Sequence, residues 1–385
     1  MLLNGPVKND HRVIKMINSL SERALVDLYY VEGEQDDKEL FNGNVSLYSY
    51  NINKNLKIKI LKHTFFCFEF NFLIEKVFRN KKIYNYIWSN DLPTLYSSFK
   101  LSKILNAKLI YDSHEIYIET LNQFFPSKAS FVKSIIFKSL LKVMKIHGYY
   151  IEKKIIKKSH YFITVNDSLL DYFNKKHEIK NSCVVMNFPY LKKSSFKKID
   201  LFKKNNWKNS SNLLVYQGMI NKGRGIDIII KTLKILPNHF KLIIIGDGPQ
   251  KKEMKNLSLK LNLSDRIDFI NKVPINELLN YTSSCHLGIN LLENYNLSKK
   301  LASPNKLYEY IHAEIPVIAS NTVENTKVFK KYNIGQLVEN NPNNISENIQ
   351  LIFKRDLDLF KQECSKAKQD YNWEAQEYKI LSIIA

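Results

Sequence analysis

Residues 212–225 read NLLVYQGMINKGRG, and they carry the strongest signal of the fold. Asn212–Gln217 is a short apolar run typical of a buried strand, and Gly218–Gly225 is a loop that opens a helix at Ile226. A strand, a tight loop and a helix in this order are the start of a βαβ unit. The same alternation recurs along the chain, which predicts parallel sheets covered by helices.

The predicted strands are short apolar runs separated by helix-length segments. They are Leu25–Tyr30, Tyr84–Ser89, Lys108–Asp112, Tyr161–Val165, Cys183–Asn187, Asn212–Gln217, Lys241–Gly246, Ile267–Ile270, Leu287–Leu291 and Pro316–Ser320. Predicted helices include His11–Glu22, Leu95–Asn106 and Phe131–His147. We therefore predict an α/β fold with two Rossmann-like, doubly wound domains that face each other across a cleft.

The segment 191–211 is rich in Lys, Asn and Ser, and we interpret it as a linker between domains at 1–190 and 212–370. The tail, 371–385, is predicted to be helical and to pack on either domain. In open α/β sheets, ligands bind beyond the carboxyl ends of the strands, so the loops after the strands are where a site is expected.

Composition limits the classes of function. The 385 residues, of which 44% are hydrophobic and 25% charged, exclude a disordered chain, a collagen and a disulfide-stapled scaffold. Four scattered cysteines and the lack of a predicted leader or membrane span indicate the cytoplasm or the cytoplasmic face of a membrane. The net charge of +21 has two readings: a Lys- and Asn-rich composition, or an acidic partner such as nucleic acid, anionic lipid or a phosphorylated substrate.

Two loops in the second half are of the type that binds phosphate. Gly218 and Gly225 allow close approach of the backbone to an anion, and Arg224 between them offers a planar fork to phosphate oxygens. The bland alternative is an ordinary turn with a solvated arginine. The turn at Gly246, in GDGP, is interpreted as mainly structural with a chance of lining a ligand.

The segment SPNKLYEY begins at Ser303 and is the most informative. Ser303 suits a helix N-cap and Pro304 the first helical position. The N–H groups of that helix, with Asn305 and Lys306, make a cradle for a diphosphate. Glu309 lies one turn later, where a carboxylate suits a vicinal diol such as a ribose. The alternative is a capped amphipathic helix with a surface Lys–Glu pair.

In the first half, His114 follows the strand Lys108–Asp112 and either donates to a sugar hydroxyl or is satisfied in the core. Asn9 and Asp10 lie in the first loop, where Asp10 either caps the next helix, the favoured role, or holds an acceptor hydroxyl. The sequence contains no pattern typical of a metal site or a serine or cysteine nucleophile.

Several motifs together resemble a known family over nearly the full length. They are NDxRVxK from Asn9, DLPT from Asp91, YDSHE from Tyr111, YxGxxxxxRG from Tyr216, GDGP from Gly246, SPNKLYEY from Ser303 followed by PVIAS, and NWE from Asn372. In these motifs the chain resembles glycosyltransferase family 4, whose members are retaining sugar transferases of the GT-B fold. In that family the C-terminal helix crosses back to the first domain.

The resemblance implies a role for each candidate residue. Arg224 and Lys306 would hold the donor diphosphate, Glu309 the ribose, and His114 the donor sugar near its C6 hydroxyl. Asn9 and Asp10 would lie beside the sugar and the acceptor. The remaining donor-binding positions are Gly218, Gly225, Gly246, Ser303, Pro304 and Asn305.

The chain also departs from the family pattern. Leu301 stands where many members have a glutamate that touches the donor sugar, and Met219 stands where an arginine is common. Glu293 is a displaced candidate for the missing glutamate. These departures leave the identity of the sugar open and give Arg224 more of the phosphate binding.

The predicted function is transfer of a hexose or N-acetylhexosamine, with UDP as the favoured carrier, to a lipid-linked or growing glycan in capsule or O-antigen assembly. No cofactor or metal is expected, because Arg224, Lys306 and helix N-termini can neutralise the diphosphate. Two alternatives remain: a nucleotide-sugar 2-epimerase of the same fold, and a non-enzymatic protein that binds membrane or nucleic acid. No recognised nucleic-acid module is present.

A lysine-rich segment predicts docking on an anionic inner-membrane surface. Residues 121–160 contain nine lysines and one acid, Glu152. On the predicted helix Phe131–His147, one apolar face is expected, with Lys138, Lys142 and Lys145 opposite it. Its members are Val132, Ile135, Ile136, Leu140, Val143 and Met144. The alternative is a core-packed helix with a solvated lysine edge.

Overall fold

The computed structural model describes residues 1–50, 77, 82–124, 131–191, 196–293 and 296–385. It divides the chain into two compact units. Unit 1 comprises Met1–Asn187 and Gln376–Ala385, and unit 2 comprises Phe188–Ala375. The sequence placed the corresponding boundaries at residues 190 and 371.

Unit 1 contains a seven-stranded sheet in which every neighbouring pair is parallel. The strands are β1 (Leu2–Leu3), β2 (Val26–Val31), β3 (Val45–Tyr50), β4 (Tyr86–Asn90), β5 (Lys108–Ser113), β6 (Tyr161–Thr164) and β7 (Ser182–Val184). The helices are α1 (His11–Ser21), α2 (Asp91–Ile104), α3 (Tyr117–Thr120), α4 (Phe131–Ile156) and α5 (Asp167–Lys176). The spatial order β3-β2-β1-β4-β5-β6-β7 is that of a doubly wound sheet.

Unit 2 contains a six-stranded parallel sheet in the order β10-β9-β8-β11-β12-β13. The strands are β8 (Asn212–Gln217), β9 (Phe240–Ile245), β10 (Ile267–Ile270), β11 (Leu287–Asn290), β12 (Val317–Ser320) and β13 (Gly335–Val338). The helices are α6 (Leu201–Lys204), α7 (Ile226–Ile235), α8 (Lys251–Lys260), α9 (Ile275–Thr282), α10 (Leu297–Lys300), α11 (Asn305–His312), α12 (Val323–Lys331), α13 (Pro342–Phe353), α14 (Leu357–Asp370) and α15 (Glu374–Ile384). α15 begins in unit 2 and continues in unit 1.

Helices cover both faces of each parallel sheet. Strands that are buried on both faces are continuous apolar runs, which is the pattern seen in the sequence. The core residues of β8 and β9, such as Leu214 and Ile243, are fully buried. The predicted α/β fold with parallel strands is confirmed. Strands β3 and β13 were not predicted; each lies at a sheet edge, β3 has no buried residue, and only the two end residues of β13 are buried.

The predicted linker 191–211 is in part ordered on unit 2. Residues 192–195 lie outside the described residues. Beyond them, the backbone N–H of Lys197 donates to Asn280 and that of Ile199 donates to Ser284, which follows α9. The second part of this segment therefore packs as part of unit 2.

Helix α4 continues beyond its predicted end at His147. Met144, Ile151 and Ile155 lie in the core of unit 1, whereas Ile135 and Val143 are 50% and 55% exposed. The predicted single apolar face is therefore wrong, because Met144 and these residues lie on different sides of the helix. Lys138 and Lys142 are exposed on the side of Ile135 instead of opposite it. The side chain of Val132 lies outside the described residues.

Candidate active site

Two glycine loops of unit 2 meet at the carboxyl ends of neighbouring parallel strands. β8 ends at Gln217 and β9 at Ile245, and the loops that follow begin with Gly218 and Gly246. A Cβ atom on Gly246, whose φ is +148°, would lie 2.0 Å from the carbonyl oxygen of Gly218. Only glycine fits there, so this contact fixes the two predicted loops side by side.

Gly225 begins helix α7 in a left-handed conformation, with φ +65°. A Cβ atom there would lie 2.5 Å from Cβ of Leu291, the residue just after β11. Glycine thus brings the N-terminus of α7 against the end of the neighbouring strand. Arg224, the residue before it, is half-buried and close enough to influence the ionisation of Lys306.

Lys306, the second residue of α11, is only 6% exposed. Its ammonium lies 4.1 Å from the centre of the Tyr216 ring, and Nζ has no hydrogen-bond partner in the described part of the chain. Burial lowers the pKa of Lys306 well below its ordinary value, Arg224 lowers it further, and Glu309 opposes them. A buried cation without a partner carries a desolvation cost that a bound anion would relieve. The predicted alternative of a surface Lys–Glu pair is wrong, because Lys306 is buried.

Glu309 is held by a chain of two hydrogen bonds. The side-chain amide of Gln217 donates to Oε2 of Glu309 at 2.5 Å, and Thr282 Oγ1 donates to the carbonyl of the same amide at 2.6 Å. Thr282 and Gln217 are buried, so the amide has a fixed orientation and Glu309 a fixed rotamer. Sequence reasoning missed both residues, although a polar residue at the end of a buried strand was a signal for Gln217.

Helix α11 begins later than predicted. Its N-cap is Pro304, with an extended backbone of φ −69° and ψ 127°, and no side chain caps it. The expectations that Ser303 caps the helix and that Pro304 is its first residue are therefore wrong. Ser303 Oγ instead pairs with the Tyr308 hydroxyl at 3.0 Å. The first N–H groups, from the exposed Asn305 onward, have no side-chain cap and suit an anion.

His114 of unit 1 lies between carboxylates at the end of β5. Its Nδ1 is 3.2 Å from Asp91 Oδ2 and 4.0 Å from Asp10 Oδ2, and its Nε2 is 3.4 Å from Asp112 Oδ2. Burial lowers the pKa of His114, but Asp91 and Asp112 outweigh it and raise the pKa well above its ordinary value. The imidazole is thus held as a cation, with Asp91 facing one nitrogen and Asp112 facing the other.

Asp91 and Asp112 fix this histidine from two sides, and sequence reasoning assigned a role to neither. Asp91 also accepts a hydrogen bond from the backbone N–H of His114 at 2.8 Å. The backbone of Asp91 has a φ of +58°, which is uncommon for a residue other than glycine. Asp112 is fully buried and paired with Arg12 at 2.9 Å. Asp91 directly follows β4, Asp112 lies near the end of β5, and the motifs DLPT and YDSHE contain them, which was the available signal.

The residues of the first loop have the expected local structure. Asp10 caps α1, accepting from the backbone N–H of Val13 at 3.0 Å, so the favoured capping role is confirmed. Its other oxygen is the one that lies 4.0 Å from His114. Asn9 precedes it at the end of a 3-10 turn and is exposed.

The positions that depart from the family pattern lie near the donor loops. Met219 is 59% exposed, and its backbone carbonyl accepts from the Tyr216 hydroxyl at 2.8 Å. Leu301 ends α10. Glu293 donates its backbone N–H to Gly223 at 3.1 Å, directly before residues 294–295, which lie outside the described residues.

The described residues contain neither a metal-binding cluster nor a membrane-spanning helix. No group of three or more His, Cys, Asp or Glu side chains there is arranged to hold a metal ion. No helix in that part of the chain combines the length and the apolar character needed to cross a membrane. The predicted independence from metal stays a prediction.

The chain is similar to known proteins in its fold and, over part of its length, in its sequence. Residues 197–370 match the family model for glycosyl transferases group 1. No curated protein matches the sequence significantly. Among solved structures, sucrose-phosphate synthase from Thermosynechococcus elongatus is similar over 100% of this chain and 97% of its own, with a TM-score of 0.72 and 16% identity.

Two further structures are similar over the whole chain. The Anabaena protein HepE in complex with UDP-glucose has a TM-score of 0.72 and 14% identity, covering 100% of this chain and 98% of its own. WaaG, a glycosyltransferase involved in lipopolysaccharide biosynthesis, has a TM-score of 0.64 and 13% identity, covering 100% of both chains. The chain is therefore a transferase with the two-domain α/β fold of GT-B glycosyltransferases, and its unit 2 carries a glycosyl transferases group 1 domain.

Proposed function

We propose that the protein is a retaining glycosyltransferase. It transfers a hexose or N-acetylhexosamine from a UDP-linked sugar to a lipid-linked or growing glycan, in assembly of a surface polysaccharide such as capsule or O-antigen. The observation that carries the proposal is Lys306, whose buried ammonium has no partner in the described residues and lies within electrostatic reach of Arg224 and Glu309.

The groups around Lys306 match the parts of a nucleoside diphosphate. Lys306 and Arg224 supply two cations for the diphosphate, and the uncapped N–H groups of α11 add oriented donors. Glu309, oriented by Gln217, accepts the two hydroxyls of the ribose. A Cβ atom on Gly218 would meet nothing within 4 Å, so the start of that loop has space for a ligand.

The reaction then consists of one substitution at the anomeric carbon. The bond from that carbon to the diphosphate oxygen breaks, a bond to the acceptor oxygen forms on the same face, and the acceptor proton passes to the departing diphosphate. Lys306 and Arg224 stabilise the negative charge that develops on the leaving group, without a metal ion. His114 donates to the C6 hydroxyl of the donor sugar, and Asn9 and Asp10 lie beside the sugar and the acceptor.

The similar structures support the choice of substrates. HepE was solved with UDP-glucose, which favours UDP as the carrier, and WaaG is involved in lipopolysaccharide biosynthesis, which favours a surface glycan as the acceptor. A lipid-linked acceptor is presented at the cytoplasmic face of the inner membrane, and we place the protein there as a peripheral enzyme.

The test is release of UDP from a panel of UDP-sugars, measured with and without lipid-linked glycan acceptors. Release that requires an acceptor, with sugar recovered on that acceptor in unchanged anomeric configuration, is the expected result. Arg224→Ala and Lys306→Ala are expected to lose turnover by about 100-fold or more. Lys234→Ala, an exposed lysine at the end of α7, serves as the matched control. UDP release without acceptor, together with a 2-epimeric sugar, would instead establish the epimerase.

A further inference from the structure

Helix α4 exposes a row of large apolar side chains, which we call the α4 strip. Its members are Ile135, Ile136, Val143, Ile146 and Tyr150, with exposed fractions of 50%, 57%, 55%, 61% and 61%. Ile136, Val143, Ile146 and Tyr150 follow one another at intervals of seven, three and four residues, and Ile135 stands beside Ile136, so the five share one side of the helix. A contiguous apolar surface of this kind marks a site of interaction.

The opposite side of α4 is anchored in unit 1. Met144, Ile151 and Ile155 lie in the core. Tyr149 donates to Glu119 at 2.7 Å, and Lys145 pairs with the same carboxylate at 3.2 Å. Among the described residues, α4 therefore packs into the core of unit 1 through the side opposite the strip.

The charges around the α4 strip have one sign. Lys138, Lys142, Lys153 and Lys154 are exposed on the same side of the helix as the strip. The one acid of the helix, Glu152, is 2% exposed and accepts from the Tyr111 hydroxyl at 2.8 Å inside unit 1. The exposed side of α4 therefore combines apolar residues with lysines and carries no carboxylate.

A basic cavity begins where α4 ends. It has a volume of about 500 Å³, and no acidic residue is among the described residues that line it. Its basic residues are Lys103, Lys108, Lys157, Lys158, Lys180 and His160. It lies at the edge where β5 and β6 begin, opposite the edge that carries His114. The cavity thus adds a concentrated positive charge just beyond the C-terminal end of α4.

We propose that the α4 strip docks in the headgroup layer of an anionic membrane, with its lysines and those of the cavity on lipid phosphates. Apolar side chains bordered by lysines fit such a layer, in which each lysine gains from the negative surface. A second copy of the chain fits less well, because a symmetric pairing of the strip would bring its lysines together. The inference deepens the proposed function and rests on it, because docking would bring the enzyme to a lipid-linked acceptor.

The test is co-sedimentation with sucrose-loaded vesicles of phosphatidylcholine, alone or with phosphatidylglycerol, at low and high salt. The wild type is expected to bind the anionic vesicles at low salt and to be partly released by salt. Ile135→Ser/Ile146→Ser should weaken binding by about 10-fold or more, since each side chain loses its apolar contact. Leu259→Ser/Leu351→Ser is the matched control, because both residues are apolar, are exposed to a similar extent at 61% and 50%, and belong to unit 2.

Three results would overturn the proposal: no binding of the wild type to anionic vesicles, equal binding by the strip variant, or a dimer in sedimentation analysis that the strip variant makes monomeric. Titration of the same variants with UDP separates the two proposals. If the strip variant keeps its UDP affinity but loses vesicle binding, the result supports the α4 strip as the membrane-docking surface. Vesicle binding by a protein that binds no UDP-sugar would leave the surface intact and contradict the proposed function.

Discussion

Replacing Lys306 by methionine should stabilise the ligand-free protein while weakening its ligand binding. A buried polar group without a partner costs about 1–3 kcal/mol, and more when charged. The Tyr216 ring at 4.1 Å returns about 1–2 kcal/mol of this as a cation–π interaction. Methionine has a similar length and no charge, so a net gain of about 1 kcal/mol is expected. For a unit the size of Phe188–Ala375, this raises Tm by about 2–4 °C.

Binding should change in the opposite direction. A charge-assisted hydrogen bond to the diphosphate contributes about 1.5–3 kcal/mol, so Lys306→Met is expected to bind UDP about 10- to 100-fold more weakly. Because burial lowers the pKa of Lys306 and a bound diphosphate restores it, wild-type binding should take up a proton, increasingly so as the pH rises. The uptake is seen as a dependence of the calorimetric enthalpy on the ionisation enthalpy of the buffer.

The matched control is again Lys234→Ala, which should change neither Tm nor proton uptake. The reasoning fails if Lys306→Met is less stable than the wild type without ligand and binds UDP with normal affinity and normal proton uptake. That combination would mean that the buried ammonium is structural and not a phosphate ligand.

Three further outcomes are expected. Glu309→Gln should weaken UDP binding by about 10-fold or more in a titration, because a ribose diol loses a charged acceptor; unchanged affinity in the folded variant would exclude the ribose role. Asp91→Asn should lower the pKa of His114 in an NMR titration, since asparagine tolerates the φ of +58° and removes one carboxylate; an unmoved titration would exclude this pairing. Burial raises the pKa of Glu152 to about 7, so the folded state holds its proton more tightly than the unfolded state, and the free energy of unfolding should fall by about 3 kcal/mol as pH rises from the usual glutamate range to above 7. Urea unfolding of Glu152→Gln should lack that fall, and an identical pH dependence in the variant would refute the assignment.

Much of the fold could be predicted because the strands are buried on both faces. Such strands are apolar throughout, and β8 and β10 were predicted with the ends they have in the structure. Edge strands follow a different rule. β3 (VSLYSY) mixes serines with apolar and aromatic residues, and none of its residues is buried, so its run resembles a loop as much as a strand. The sides of α4 were misassigned because helical periodicity groups apolar residues on one face but does not indicate which of them pack against the core.

The parts of the candidate site that could be predicted are those in which the residue type itself indicates the role. Glycines that must allow close backbone contact, as at Gly246, stand out in sequence, and so do Arg224 and Lys306 beside such loops. The partners that orient the site were not predictable. Gln217 reaches Glu309 across 92 positions of sequence, a proximity that only the strand order creates. Helix caps depend on backbone angles at single residues, which is why the start of α11 was misplaced.

The most direct test of the account is a crystal structure of the protein with UDP. The account predicts the diphosphate within hydrogen-bond distance of Lys306 Nζ and the Arg224 guanidinium, at the N-terminus of α11, and both ribose hydroxyls on the carboxylate of Glu309. UDP bound elsewhere, or bound here with Lys306 still lacking a phosphate contact, would contradict it.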